Sequence, residues 1–92
     1  MAKTRILIAQ AERSVAMEIR KRLEALGYNV AAVVSSGRQA IKKAEALRPD
    51  LVMTDTVLER GSDGIETARW IRSRLKIPII YCLLYTSDAA DE

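Results

Sequence analysis

Apolar residues arrive in two rhythms along this chain. Arg5-Ile6-Leu7-Ile8-Ala9 is a continuous apolar run of strand length, and such runs suit a parallel strand covered on both faces. From Arg13 the period lengthens: Val15, Ile19, Leu23 and Leu26 are spaced for one helical face, and Gly27 stands where a helix end needs a left-handed residue. Asn29 to Val34 is β-branched and apolar, and predicts a second strand. Ser35-Ser36 then offers an N-cap for a helix with Ala40, Ile41, Ala44 and Leu47 on one side, which Pro49 ends. Leu51-Val52-Met53-Thr54 reads as a third buried strand with Asp55 at its carboxyl end. Asp63 can cap a third helix whose Ile65, Ala68, Ile71 and Leu75 face inward, and a fourth strand begins at Pro78-Ile79-Ile80-Tyr81.

The order is βαβαβαβ. Strands that alternate with helices of about ten residues form parallel sheets joined by right-handed crossovers, with helices on both faces. The expectation is an α/β, doubly wound parallel sheet. Sites in such sheets lie at the carboxyl ends of the strands, which brings Ala9 to Glu12 together with Asp55 to Val57.

Composition narrows the chemistry. With 92 residues the chain is one domain or part of one, and its 49% apolar but only 4% aromatic content calls for a core of Ile, Leu, Val, Met and Ala. No histidine is present, so a zinc site or a histidine-based catalytic pair cannot be assembled. The single cysteine, Cys82, excludes an internal disulfide. No apolar run approaches a membrane span and no signal peptide opens the sequence, so a cytoplasmic protein that does not engage a membrane is expected. The formal charge is +3, but Arg20, Lys21, Arg22, Lys42 and Lys43 fall on the polar sides of predicted helices. Solvated faces explain them, and no direct nucleic-acid contact is expected from these residues.

The specific signal is Pro49-Asp50-Leu51-Val52-Met53-Thr54-Asp55, followed eight residues later by Asp63-Gly64-Ile65-Glu66. This pattern resembles the response-regulator receiver family. The resemblance also takes in Ile6-Leu7-Ile8, Gly27-Tyr28, Ser36-Gly37 with Ala40, and Ile77-Pro78-Ile79-Ile80, and runs from residue 3 to 81. It implies a flavodoxin-like fold and a role in a two-component phosphorelay, not an enzyme. Asp55 would be the phosphoacceptor, with a histidine kinase or phosphotransfer protein as the donor partner and an output module as the regulated one. It also implies Mg²⁺, held by Asp55, the backbone carbonyl of Val57 and an acidic pair just after the first strand.

That pair is missing. Where the family has two acids, this sequence has Gln10-Ala11. A methyl group replaces the coordinating carboxylate and a neutral amide replaces the second acid. Glu12 comes one position late, and neighbouring residues of an extended segment point in different directions. A hard dication needs oxygen ligands, so phosphorylation is expected to be slow or absent. The alternative is a phosphorylation-independent pseudo-receiver that acts by binding protein. Asp63-Gly64 and Ser36-Gly37 are both explained as caps and turns.

On the third helix Arg69, Arg72 and Lys76 share a side, while Trp70 and Arg74 are four apart and spaced to stack. A solvated face explains the arginines. An exposed tryptophan beside Arg69 and Arg72 is also the composition of a partner surface. Residues 82–92 resemble, in all eleven positions, a translated transposase adapter from sequencing libraries. The expected division is a partial receiver over 1–81 and a non-native tail over 82–92, so Leu83, which falls on the family's switch position, carries no conclusion. The last strand and its Lys are absent from the pattern. The first strand is therefore expected to become a sheet edge, leaving the fragment marginally stable.

Overall fold

A computed structural model describes residues 3–59 and 63–82. The elements follow the predicted order: β1 (Arg5–Ala9), α1 (Arg13–Ala25), β2 (Asn29–Val34), α2 (Gly37–Leu47), β3 (Leu51–Thr54), α3 (Gly64–Leu75) and β4 (Ile79–Tyr81). All strand pairs are parallel, in the order β2-β1-β3-β4. The α/β class and flavodoxin-like arrangement are thus as the sequence implied.

The sheet is covered on both faces, and β1 shows how. Its side chains alternate, sending Leu7 and Ala9 to one face and Ile6 and Ile8 to the other. Leu7 and Ala9 join Val52, Ala40, Ala44 and Ile71 in the layer under α2 and α3. Ile6 and Ile8 meet Ala16 and Val30 under α1. A register shift opposite Ile6/Leu7 re-phases β2, so that Val30 and Val33 face α1 while Ala32 and Val34 face the other layer.

The helix ends use the expected devices. The Ser36 hydroxyl accepts from Gln39 N–H at 3.2 Å, and the Asp63 carboxylate accepts from Ile65 and Glu66 N–H at 2.9 and 3.2 Å. Gly27 has φ +98° after α1, which suits a residue without Cβ. Arg48 and Lys76 take the left-handed position after α2 and α3. The Arg48 guanidinium donates to the Leu75 carbonyl at 3.4 Å, and Arg5 donates to Leu47 and Arg48 carbonyls at 2.9 and 3.2 Å. Arginines therefore satisfy carbonyls at both helix ends.

Several expectations need correction. β1 is not an edge: it lies between β2 and β3, and the edges of the described sheet are β2 and β4. Leu26 is 73% exposed, because it is the residue after the last helical turn and its N–H folds back to Arg22 and Leu23 carbonyls. Ile65 is 42% exposed. It sits in the first turn of α3, where Gly64 and Ala68 take the buried positions. Trp70 is half-buried, not exposed, and packs on the α2/α3-side core. β4 starts at Ile79, since Pro78 uses its carbonyl, not an N–H, to receive Val52 N–H. Of the tail read over 82–92, Cys82 is described, whereas Leu83 and the rest of it lie outside the described residues.

Candidate functional site

Asp55 emerges from β3 at the carboxyl end of the sheet, and its backbone is held from three directions. Its N–H donates to the Ala9 carbonyl on β1 at 3.1 Å. Its carbonyl accepts from the Thr54 hydroxyl at 2.9 Å, while Thr54 itself receives Cys82 N–H from the end of β4 at 2.8 Å. Gly64 closes the third side: its N–H donates to the Thr56 carbonyl at 2.8 Å, and Val57 bridges to Asp63. A Cβ on Gly64 would fall onto the Asp55 carbonyl oxygen and lie 2.9 Å from the Thr56 carbonyl carbon.

The side chains around this point are sparse in acid. The half-buried Asp55 carboxylate accepts from Thr56 N–H at 2.7 Å, which fixes one oxygen. Gln10 is 5% exposed. Its N–H donates to the Val34 carbonyl at 2.9 Å and its side-chain oxygen accepts from Glu12 N–H at 3.1 Å. Glu12, at the N-cap of α1, makes no side-chain cap. Gln10 thus serves the start of α1. Ala11 is exposed and offers no donor atom.

The residues present do not fit the Mg²⁺ set that the resemblance implies. Asp55 and the Val57 carbonyl supply one carboxylate and one backbone oxygen, Ala11 supplies none, and the Gln10 oxygen is engaged. No cluster of three His, Cys, Asp or Glu that could hold a metal ion occurs among the described residues. The arrangement presents a positioned carboxylate without the neighbouring charge that a hard dication needs.

Cys82 lies close enough for its ionisation to feel Asp55. Burial pushes its thiol up from the ordinary value of 9.0, and the Asp55 negative charge adds to the rise. On α3, the Arg74 guanidinium sits 5.6 Å from the Trp70 ring centroid, the stack that the spacing suggested. Arg69 and Arg72 are exposed. They stand on α3 away from Asp55's immediate partners, so the structure does not join them to that site.

Two contributors escaped sequence reasoning. The Asp63 cap alone accounts for Gly64 in the sequence, although an Asp-Gly pair eight residues after an acid at a strand end can also signal close backbone approach. Position 10 shows in the sequence only as a missing acid, and the Gln10 oxygen that accepts from Glu12 N–H has no sequence signal.

The Response regulator receiver domain model matches residues 6–91. The chain is 34% identical over 83 residues to the Phyllosphere-induced regulator PhyR of Methylorubrum extorquens, covering 89% of this chain and 31% of that protein. The crystal structure of the response regulator PhyR from Brucella abortus superposes with a TM-score of 0.82 at 31% identity, covering 87% of this chain and 33% of that one. A similar match, TM-score 0.79 at 28% identity over 86% of this chain and 33% of that one, is to the anti-anti-sigma factor PhyR from Bartonella quintana, in complex with the anti-sigma factor NepR. The chain therefore spans about a third of the length of these relatives. Receiver domains of this kind use Mg²⁺ at the phosphorylation site and meet kinases or phosphotransfer proteins in two-component signalling. With the matched model and the parallel sheet in agreement, this chain belongs to the response regulator receiver domain family.

Proposed function

We propose that Asp55 is the phosphoacceptor of this receiver, taking a phosphoryl group from a histidine kinase or phosphotransfer protein to regulate an output module, and that the transfer is impaired. The observation that supports the first half is the placement of Asp55: a carboxylate at the carboxyl end of a central parallel strand, with its backbone tied to β1, to Thr54 and, through Thr56, to the start of α3. In that reaction a carboxylate oxygen attacks phosphorus and the imidazole of the donor leaves. The second half rests on the missing charge. Two anionic reactants must be brought together, and this site supplies no carboxylate pair to hold the cation that would do so. Val57 would contribute its carbonyl to whatever ion binds. The reading places the protein in the cytoplasm, where such donors are found, and gives it a regulatory role.

A second reading is favoured by one observation: the Gln10 amide is buried and committed to Glu12 N–H, so the position has been absorbed into the fold. On that reading the domain binds protein without phosphorylation, with Arg69 and Arg72 beside the half-buried Trp70 as the contact surface. The Bartonella relative in complex with an anti-sigma factor supports a protein, not DNA, as that kind of partner. Phosphodonor labelling of the natural full-length protein separates the two. Label that is acid-stable, base-labile and lost in Asp55→Ala supports phosphotransfer. No label with partner binding retained supports the binding module. We also keep the native boundary at Tyr81 as a proposal, and recovery of residues 82–92 by resequencing without a transposase adapter overturns it.

A further inference from the structure

The outer edge of β2 is bordered by a trough that neither reading uses. Gln39, Lys42, Lys43 and Ala46 recur at helical spacing along α2 and line, with Val33 and Val34, a cavity of about 450 Å³. A second cavity of about 350 Å³ shares Val33, Val34 and Gln39 and continues past Ser35 to Ala11 and Arg13. Their shared lining joins them into a channel along β2.

The floor of this channel is the β2 edge, which pairs with no second strand among the described residues. The Val34 carbonyl faces β1, where it receives Gln10 N–H at 2.9 Å. Peptide groups of successive residues in a strand point to opposite sides, so the N–H and carbonyl of Val33 face outward. The walls are cationic. Arg13, Lys42 and Lys43 are exposed, and the ion pairs among the described residues, Arg20–Glu24 and Arg22–Glu18, both lie within α1. Glu59, the one acid on the channel, accepts from the Ser35 hydroxyl at 3.0 Å.

The geometry points to an acidic segment of a partner protein, in extended conformation, adding to the β2 edge as a fifth strand of the described sheet. Main-chain bonds to Val33 supply the pairing and the Lys42, Lys43 and Arg13 charges select the sequence. From Gln39 to Ala46 the helix rises about 10 Å, which matches about three extended residues. A second copy of this chain is disfavoured at the same edge, because pairing two β2 strands would bring the lysines of both copies together. The inference does not depend on phosphorylation of Asp55.

The test uses the natural full-length protein and a short peptide alternating Glu and Val. Binding is followed by fluorescence anisotropy and hydrogen exchange of the Val33 amide. The expected result is saturable binding that protects Val33, is lost when the peptide backbone is N-methylated, and weakens by at least about tenfold in Lys42→Glu/Lys43→Glu. The N-methylated peptide leaves the protein untouched, so the test survives a variant that folds poorly. Absence of binding, equal binding of the N-methylated peptide, or Val33 protection in a peptide-free dimer each overturns the inference, the last in favour of a second copy.

Discussion

Replacing Gly64 by Ala tests the claim that the start of α3 is pressed against the Asp55 backbone. The added methyl carbon would fall onto the Asp55 carbonyl oxygen, with the Thr56 and Asp55 carbonyl carbons at 2.9 and 3.0 Å. These are backbone atoms in a strand end tied to Ala9 and Thr54, so they cannot swing aside as a side chain would. The helix must retreat instead, and the Gly64–Thr56 hydrogen bond of 2.8 Å is lost. Overpacking costs about 1–3 kcal/mol and the lost bond about 1 kcal/mol. The gain from replacing Gly by Ala in a helix returns about 0.5–1 kcal/mol. The net expectation is a destabilisation of about 1–3.5 kcal/mol, read by urea denaturation of the natural full-length protein. Gly27→Ala is the comparison: φ is +98° there but no atom lies within 4 Å of the added carbon, so only backbone strain of about 1–2 kcal/mol applies. A Gly64→Ala change within about 0.5 kcal/mol of the parent would refute the close-approach argument.

The same ends and charges give three further expectations. Asp63→Ala removes the acceptor for two N–H groups of α3 and should cost about 1–2 kcal/mol by denaturation, with Asp63→Asn recovering most of it. Arg74→Ala should cost no more than about 1 kcal/mol, since its contact with Trp70 is at the surface, whereas Trp70→Ala should cost more because the ring packs on the core. Cys82 has its folded pKa raised by burial and by Asp55. Its contribution to stability is therefore present below the unfolded value and lost as pH rises through the folded one. In the 92-residue chain, which carries this cysteine, stability should fall above about pH 9, a slope that Cys82→Ala flattens, and Asp55→Asn should speed alkylation of the thiol at fixed pH.

The fold was largely legible because each strand is a short apolar run and each helix carries a 3.6-residue apolar face. Ser36, Asp63 and Gly27 mark helix ends by mechanisms that act within a few residues, and all three hold in the structure. What failed depends on neighbours distant in sequence. The edge status of β1 is decided by strand order, which the alternation of elements leaves open, and β3 takes the place beside it. Trp70 looks exposed on a helical wheel crowded with arginines, yet its ring is wide enough to reach the layer formed by α2 and β3. Ile65 has the right spacing but sits in the first turn, where Gly64 occupies the contact. Within the site, the residue types at positions 10, 11 and 55 were readable, whereas the bond from Glu12 N–H that holds the Gln10 oxygen follows from a local turn with no compositional mark.

The central claim is that Asp55 stands in the acceptor position of a site short of metal-binding carboxylates. Its most direct test is the rate of Asp55 labelling by a small acyl phosphate, with and without Mg²⁺, in the natural full-length protein and in Gln10→Glu/Ala11→Asp. The account predicts slow labelling of the parent with little response to Mg²⁺, and at least about a tenfold, Mg²⁺-dependent gain in the double variant that Asp55→Ala abolishes. Labelling of the parent as fast and as Mg²⁺-dependent as the double variant would contradict it.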